Sequence, residues 1–131
     1  MQNDDAAPLC RDILIVEDEP TLREIMVLAL EDLGARVVAV ETADQGLTAV
    51  SAMRPDLLVT DVQTPGKLDG WDLAWLIHDY DPNIAVIVTS GFHARGNDPL
   101  PPSAAFLPKP WTLDHLYAIV QTKIREHLKH N

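Results

Sequence analysis

Apolar residues fall along this chain in short continuous runs separated by longer stretches of helical spacing, and the two patterns alternate. Residues 13–16 (Ile-Leu-Ile-Val) form an unbroken apolar run, as in strands covered on both faces. Pro20 then stands at a first helical position, and Leu22, Ile25, Met26, Ala29, Leu30 and Leu33 follow at steps of three and one, the trace of one helix face, with Gly34 as its stop. A second strand is expected at 37–40. Thr42 with Gln45 three residues on forms a capping box that starts a helix running to about Met53. Residues 57–60 make a third strand. A loop containing Pro65, Gly66 and Gly70 precedes a third helix from Leu73 to about Asp79. Residues 85–89 make a fourth strand, Phe106 and Leu107 a short fifth, and Thr112 caps a last helix carrying Leu113, Leu116, Val120 and Ile124. Strands alternating with helices predict an α/β domain with a doubly wound parallel sheet of five strands.

One interval breaks the alternation. Between the fourth and fifth strands, residues 92–105 contain Gly96, Pro99, Pro101 and Pro102. An internal proline costs a helix about 3 kcal/mol and a glycine about 1. The fourth helix is therefore expected to be short or replaced by an irregular loop. In the third helix, Trp71 and Trp75 project opposite the stripe of Leu73 and Ile77, which leaves a core role and an exposed patch both open; Trp75 is expected to be exposed and to serve a partner surface.

A chain of 131 residues with 47% apolar content suits one domain, taken as 11–131 behind a disordered leader at 1–10. Twenty acidic against ten basic residues give a net charge of −10, which disfavours direct nucleic-acid contact or an anionic membrane surface. No apolar run approaches the roughly 18 residues that span a bilayer. A single cysteine, Cys10, forms no internal disulfide, and a cytoplasmic location is the simplest expectation.

In parallel α/β sheets, ligands bind beyond the carboxyl ends of the strands. The residues there are chemically selective: Glu17 and Asp18 after the first strand, Asp61 after the third, Ser90 after the fourth, and Lys109-Pro110 beside the fifth. Converging carboxylates repel one another unless a cation joins them, and a hard divalent ion such as Mg2+ (or Mn2+) suits an all-oxygen donor set. An aspartate carboxylate is also a nucleophile toward phosphorus, and a metal, an ammonium and a hydroxyl can share the charge of a phosphoryl group in transfer.

Taken together, Glu17-Asp18, Asp61 with Pro65 four residues on, Thr89-Ser90-Gly91 and Lys109-Pro110 resemble the signature set of response-regulator receiver domains of two-component signalling, over about residues 11–128. The resemblance implies a flavodoxin-like fold with strand order 2-1-3-4-5. It implies Asp61 as phosphoacceptor, Asp18 as direct and Glu17 as mainly water-mediated metal ligand, the backbone carbonyl of Gln63 as a further ligand, and Ser90 and Lys109 on the phosphoryl group. Phe106 would be the switch aromatic, without a hydroxyl to reach Ser90. The expected partners are a sensor histidine kinase or histidine phosphotransfer protein as donor and a downstream protein as target. The expected activity is that of a stand-alone signalling switch, not an enzyme that turns over a substrate. Thr64 replaces an apolar residue usual in the family, and Asp69-Gly70 comes one residue late, so the acceptor loop is one residue longer. A phosphorylation-independent adaptor remains the alternative. A dehalogenase-type phosphatase fits poorly, because the position of its second aspartate is Gln63.

Overall fold

Alternate residues of the central strands go to opposite faces, and here both faces are apolar. A computed structural model describes residues 11–91 and 99–129. Its order is β1 (Asp12–Val16), α1 (Pro20–Asp32), β2 (Arg36–Val40), α2 (Ala43–Met53), β3 (Leu57–Asp61), α3 (Gly70–Tyr80), β4 (Ala85–Ser90), β5 (Ala104–Pro108) and α4 (Leu113–Lys129). The strands form one parallel sheet in the order β2-β1-β3-β4-β5. Ile13, Ile15, Leu57, Val59, Ala85 and Ile87 pack against Met26, Ala29 and Leu30 of α1 and Leu116, Val120 and Ile124 of α4. Leu14, Val16, Leu58, Val86 and Val88 pack on the other side against Val50 of α2 and Leu73, Ala74 and Ile77 of α3. This double burial is why the runs at 13–16, 57–60 and 85–89 carry no alternation. The expected fold class and strand order are both present. Residues 1–10, expected as a leader, and residues 92–98 of the expected loop lie outside the described residues.

Helix boundaries are fixed by local hydrogen bonds. Thr42 and Gln45 make the capping box of α2, and Gly34 beyond α1 adopts φ 95°, a left-handed value that favours glycine. Three details differ from expectation. Helix α3 begins at Gly70, not Leu73, because Asp69 caps it and Asp72 reciprocates. Ile25 of α1 is exposed, since it lies at the edge of the stripe centred on Met26, Ala29 and Leu30. Trp71 is buried at 6% exposure and Trp75 is half-buried, both packed with the α3 side of the core, although helical spacing set them opposite Leu73.

The tryptophans are covered by the returning β4–β5 connection. The carbonyl of Pro99 accepts from the indole N–H of Trp71 at 3.2 Å and of Trp75 at 3.1 Å, and His78 Nδ1 lies 3.0 Å from Ser103 Oγ. Residues 99–103 thus run over α3 without forming a helix, and Leu100 packs into the same side of the core. The exposure expected of Trp75 is thus partial, and of the two readings left open for the pair, Trp71 takes the buried one.

Candidate functional site

The chain leaves β1 for β2 on one side of the sheet and returns as β3 on the other, so the carboxyl ends of β1 and β3 flank the topological switch point, where α/β sheets leave a crevice. Acidic residues occupy both rims. Glu17 follows β1 and extends the ladder by donating its N–H to Val40 O at 3.0 Å. Its carboxylate is buried, with the residue 1% exposed, and accepts from Glu19 N at 3.1 Å. Asp18 beside it is exposed, and the Arg23 guanidinium bonds the Glu17 carbonyl at 3.0 Å, which steadies the turn presenting both acids. Asp61 ends β3 and is 7% exposed. Glu17, Asp18 and Asp61 each offer a carboxylate oxygen within 4.8 Å of the others.

Lys109 brings the counter-charge from the far strand. Its N–H donates to Ser90 O at 2.9 Å, which ties the end of β4 to the loop after β5, and its Nζ reaches Asp61 Oδ2 at 3.1 Å and Glu17 Oε1 at 3.4 Å. Ser90 is buried at the end of β4, next to the strand that ends in Asp61. Gln63 is exposed, with its N–H 3.4 Å from Asp61 Oδ1. Phe106 is half-buried, in register with Val88 and packed against the α2 and α3 side of the core. The structure therefore brings Glu17, Asp18, Asp61 and Lys109 into one cluster, places Ser90 and Gln63 at its edge, and sets Phe106 farther back on β5.

Charge in this cluster is unbalanced, with three carboxylates around one ammonium. Burial raises the pKa of Glu17 above its ordinary 4.5, and the charge of Asp61 adds to the rise, while the Glu19 N–H and Lys109 oppose it. Burial also works against the Lys109 ammonium, but Asp61 and Glu17 outweigh it and raise its pKa above the ordinary 10.5. A raised carboxyl pKa means that the fold favours the protonated form. The stability contributed by Glu17 is present in full below about pH 4.5 and is lost as pH rises through its higher folded value. In metal-free protein, Glu17→Gln should therefore gain on the wild type as pH climbs from 4.5 to 8. Thermal melts in chelator across that range check it; a variant that falls further behind with rising pH would contradict it.

A close approach that sequence reasoning missed sets the backbone of this site. Gly70 N donates to Val62 O at 2.8 Å, and a Cβ on Gly70 would sit 2.0 Å from the Asp61 carbonyl oxygen. The first turn of α3 thus rests directly on the backbone of Asp61. Trp111 was also missed; its indole N–H donates to Thr89 Oγ1 at 3.2 Å, fastening the segment after Lys109 to β4.

Comparison with known proteins agrees with this geometry. A family profile described as the response regulator receiver domain matches residues 13–121. The nitrogen assimilation regulatory protein NtrX of Azorhizobium caulinodans is 32% identical over 120 residues, covering 86% of this chain and 26% of that protein. The KDP operon transcriptional regulatory protein KdpE of Escherichia coli is 31% identical over 119 residues, covering 88% of this chain and 52% of that one. The chain thus spans about half or less of these relatives' length. Solved receiver structures match nearly end to end: one from Clostridium thermocellum has a TM-score of 0.79 at 25% identity, covering 92% of this chain and 98% of its own. Another, from Sinorhizobium medicae, has a TM-score of 0.80 at 27% identity, covering 92% and 97%. With the fold, the acidic cluster and the profile match in agreement, the chain belongs to the response regulator receiver domain family.

Proposed function

We propose that this domain is a phosphoryl-accepting switch in which Asp61 takes a phosphoryl group from the phosphohistidine of a sensor kinase or histidine phosphotransfer protein. A carboxylate oxygen of Asp61 forms a new bond to phosphorus as the donor's P–N bond breaks; the electron pair returns to the imidazole, which takes a proton from solvent. The product is an acyl phosphate on Asp61. The observation that carries the reading is the nucleophile's setting: Asp61 lies among three clustered carboxylates with the Lys109 ammonium 3.1 Å from its Oδ2.

The donor set fits a hard divalent ion. Three carboxylates within 4.8 Å, one of them with a raised pKa, leave negative charge that a single lysine does not balance. Asp18 and Asp61, Glu17 largely through water, and the Gln63 backbone carbonyl would hold Mg2+ or Mn2+, which when bound neutralises charge on the phosphoryl oxygens. Lys109 and the Ser90 hydroxyl take the remaining phosphoryl oxygens. Because the Lys109 N–H also bonds Ser90 O, movement of either residue toward the phosphoryl group pulls on the ends of β4 and β5 together. Phe106, on the same strand and paired with Val88, serves in this reading as the switch aromatic. A downstream protein reads the change, and the net charge of −10 argues against this domain meeting nucleic acid itself.

Asp18 is exposed, so it is the ligand most safely changed. Asp18→Asn should weaken Mg2+ binding at least tenfold, about 1.4 kcal/mol or more, while the metal-free fold is as stable as wild type or more so, since a repulsive charge is gone. Magnesium titration by calorimetry and denaturation in chelator check both. An unfolded or clearly destabilised variant would mean that the acids serve the fold and not a metal.

A further inference from the structure

The loop after Asp61 is fastened in the middle as well as at its ends. Asp44, in the first turn of α2, accepts from Lys67 N at 3.0 Å through Oδ2 and from Leu68 N at 3.2 Å through Oδ1. Thr64 answers from the loop side: its Oγ1 accepts from Ala43 N at 3.2 Å and lies 3.4 Å from Leu68 O, to which it donates. A helix-terminal N–H that would need a cap is thus satisfied by the loop, and two loop N–H groups are satisfied by the helix. The carboxylate also sits where the α2 dipole favours negative charge. Gly66 makes the approach possible. Its φ of 113° turns the chain toward α2, and a Cβ there would stand 2.6 Å from Asp44 Oδ2.

The geometry points to Asp44 as a positioning residue for phosphoryl transfer, holding the acceptor loop in its working shape before metal or donor arrives. Asp44 does not touch the reacting atoms; it acts through the backbone of residues 62–68, the stretch that carries the Gln63 carbonyl. The same latch gives a role to Thr64, whose hydroxyl makes two bonds that an apolar residue there would lack. The inference rests on the reading of Asp61 and its metal set out above. A loop that is ordered in only a fraction of molecules binds metal more weakly by that fraction.

The test compares the full chain with Asp44→Ala, Asp44→Asn and Thr64→Val by three readouts. These are amide hydrogen exchange at Lys67 and Leu68 in chelator, Mn2+ affinity by electron paramagnetic resonance, and the phosphorylation rate across a range of acetyl phosphate concentrations up to saturation. Asp44→Ala should lose protection at both amides, bind Mn2+ about tenfold more weakly and react correspondingly slower, with little change in KM for the donor. Asp44→Asn should fall between, because its amide oxygen still accepts one of the two bonds. Thr64→Val should lower Mn2+ affinity in the same direction, and it carries the comparison together with Asp44→Asn if the alanine variant does not fold. Loss of amide protection with wild-type Mn2+ affinity and rate would overturn the proposal and leave Asp44 a purely structural residue. Unchanged protection would overturn it as well. If the wild type neither binds Mn2+ nor takes a phosphoryl group, the reading of Asp61 fails, whatever the exchange of Lys67 and Leu68 shows.

Discussion

Lys109→Ala is expected to destabilise the metal-free protein by about 3 kcal/mol at pH 8 and by much less at pH 5. Its Nζ lies 3.1 Å from Asp61 and 3.4 Å from Glu17, whose side chains are 9% and 1% exposed. Removing the ammonium leaves two buried carboxylates facing each other without a counter-charge, a situation that costs about 3–5 kcal/mol when a buried pair is broken. The lower end applies because the lysine side chain itself keeps 24% exposure. Lowering the pH offers relief, since burial raises the Glu17 pKa and its protonation removes the repulsion. Mg2+ should restore a large share of the loss at pH 8, because it supplies the charge the lysine gave. Urea denaturation at both pH values, with and without Mg2+, measures all three. A loss below about 1 kcal/mol at pH 8 in chelator would mean that Lys109 is a surface partner with little hold on the cluster. The variant should still accept a phosphoryl group but transmit it poorly, since the link from Asp61 to the loop after β5 is cut.

Gly70→Ala is expected to be as damaging, and its sign is informative. In an ordinary helix this exchange gains up to about 1 kcal/mol from propensity. At Gly70 the new methyl would meet the Asp61 carbonyl oxygen at 2.0 Å, the Asp61 carbonyl carbon at 2.7 Å and Val62 Cα at 2.9 Å. All three are backbone atoms, so no side-chain rotation relieves the clash, and either α3 or the end of β3 must shift. Overpacking of this kind costs about 3 kcal/mol or more, and phosphoryl uptake should fall with it because the shift moves Asp61, the acceptor proposed above. Gly91→Ala is the control: a Cβ there meets nothing within 4 Å among the described residues, and stability should change by less than about 0.5 kcal/mol. A Gly70→Ala protein as stable as wild type would show that the close packing of α3 on Asp61 is not maintained.

Much of this architecture follows from local pattern. The strands at 13–16, 57–60 and 85–89 are recognisable because burial on both faces makes them nearly continuous apolar runs, broken only by Thr60 and Thr89 at their ends, and the α2 capping box is recognisable because its partners lie three residues apart. Glu17, Asp18, Asp61, Ser90 and Lys109 stand out because each ends a strand or lies within two residues after one, where the fold itself gathers side chains. What sequence reasoning missed depends on contacts between distant segments. Nothing beside Trp71 indicates that Pro99, 28 residues later, returns to cover it. Asp44 looks like any acid in a first helical turn until the loop 23 residues away is seen to close on it. The early start of α3 could have been found, since Asp69 and Asp72 repeat the three-residue capping interval already used at Thr42. Gly70 looked like a loop glycine, whereas its role is the close approach of one backbone to another.

The most direct test is the intact mass of the protein after incubation with a small phosphodonor, for wild type and Asp61→Asn, with Mg2+ or with chelator. The wild type should gain one phosphoryl group, about 80 Da, only when Mg2+ or Mn2+ is present, and Asp61→Asn should gain nothing under any condition. A wild-type protein that folds, binds Mg2+ and gains no mass, or an Asp61→Asn protein labelled as fully as wild type, would contradict Asp61 as the phosphoryl acceptor.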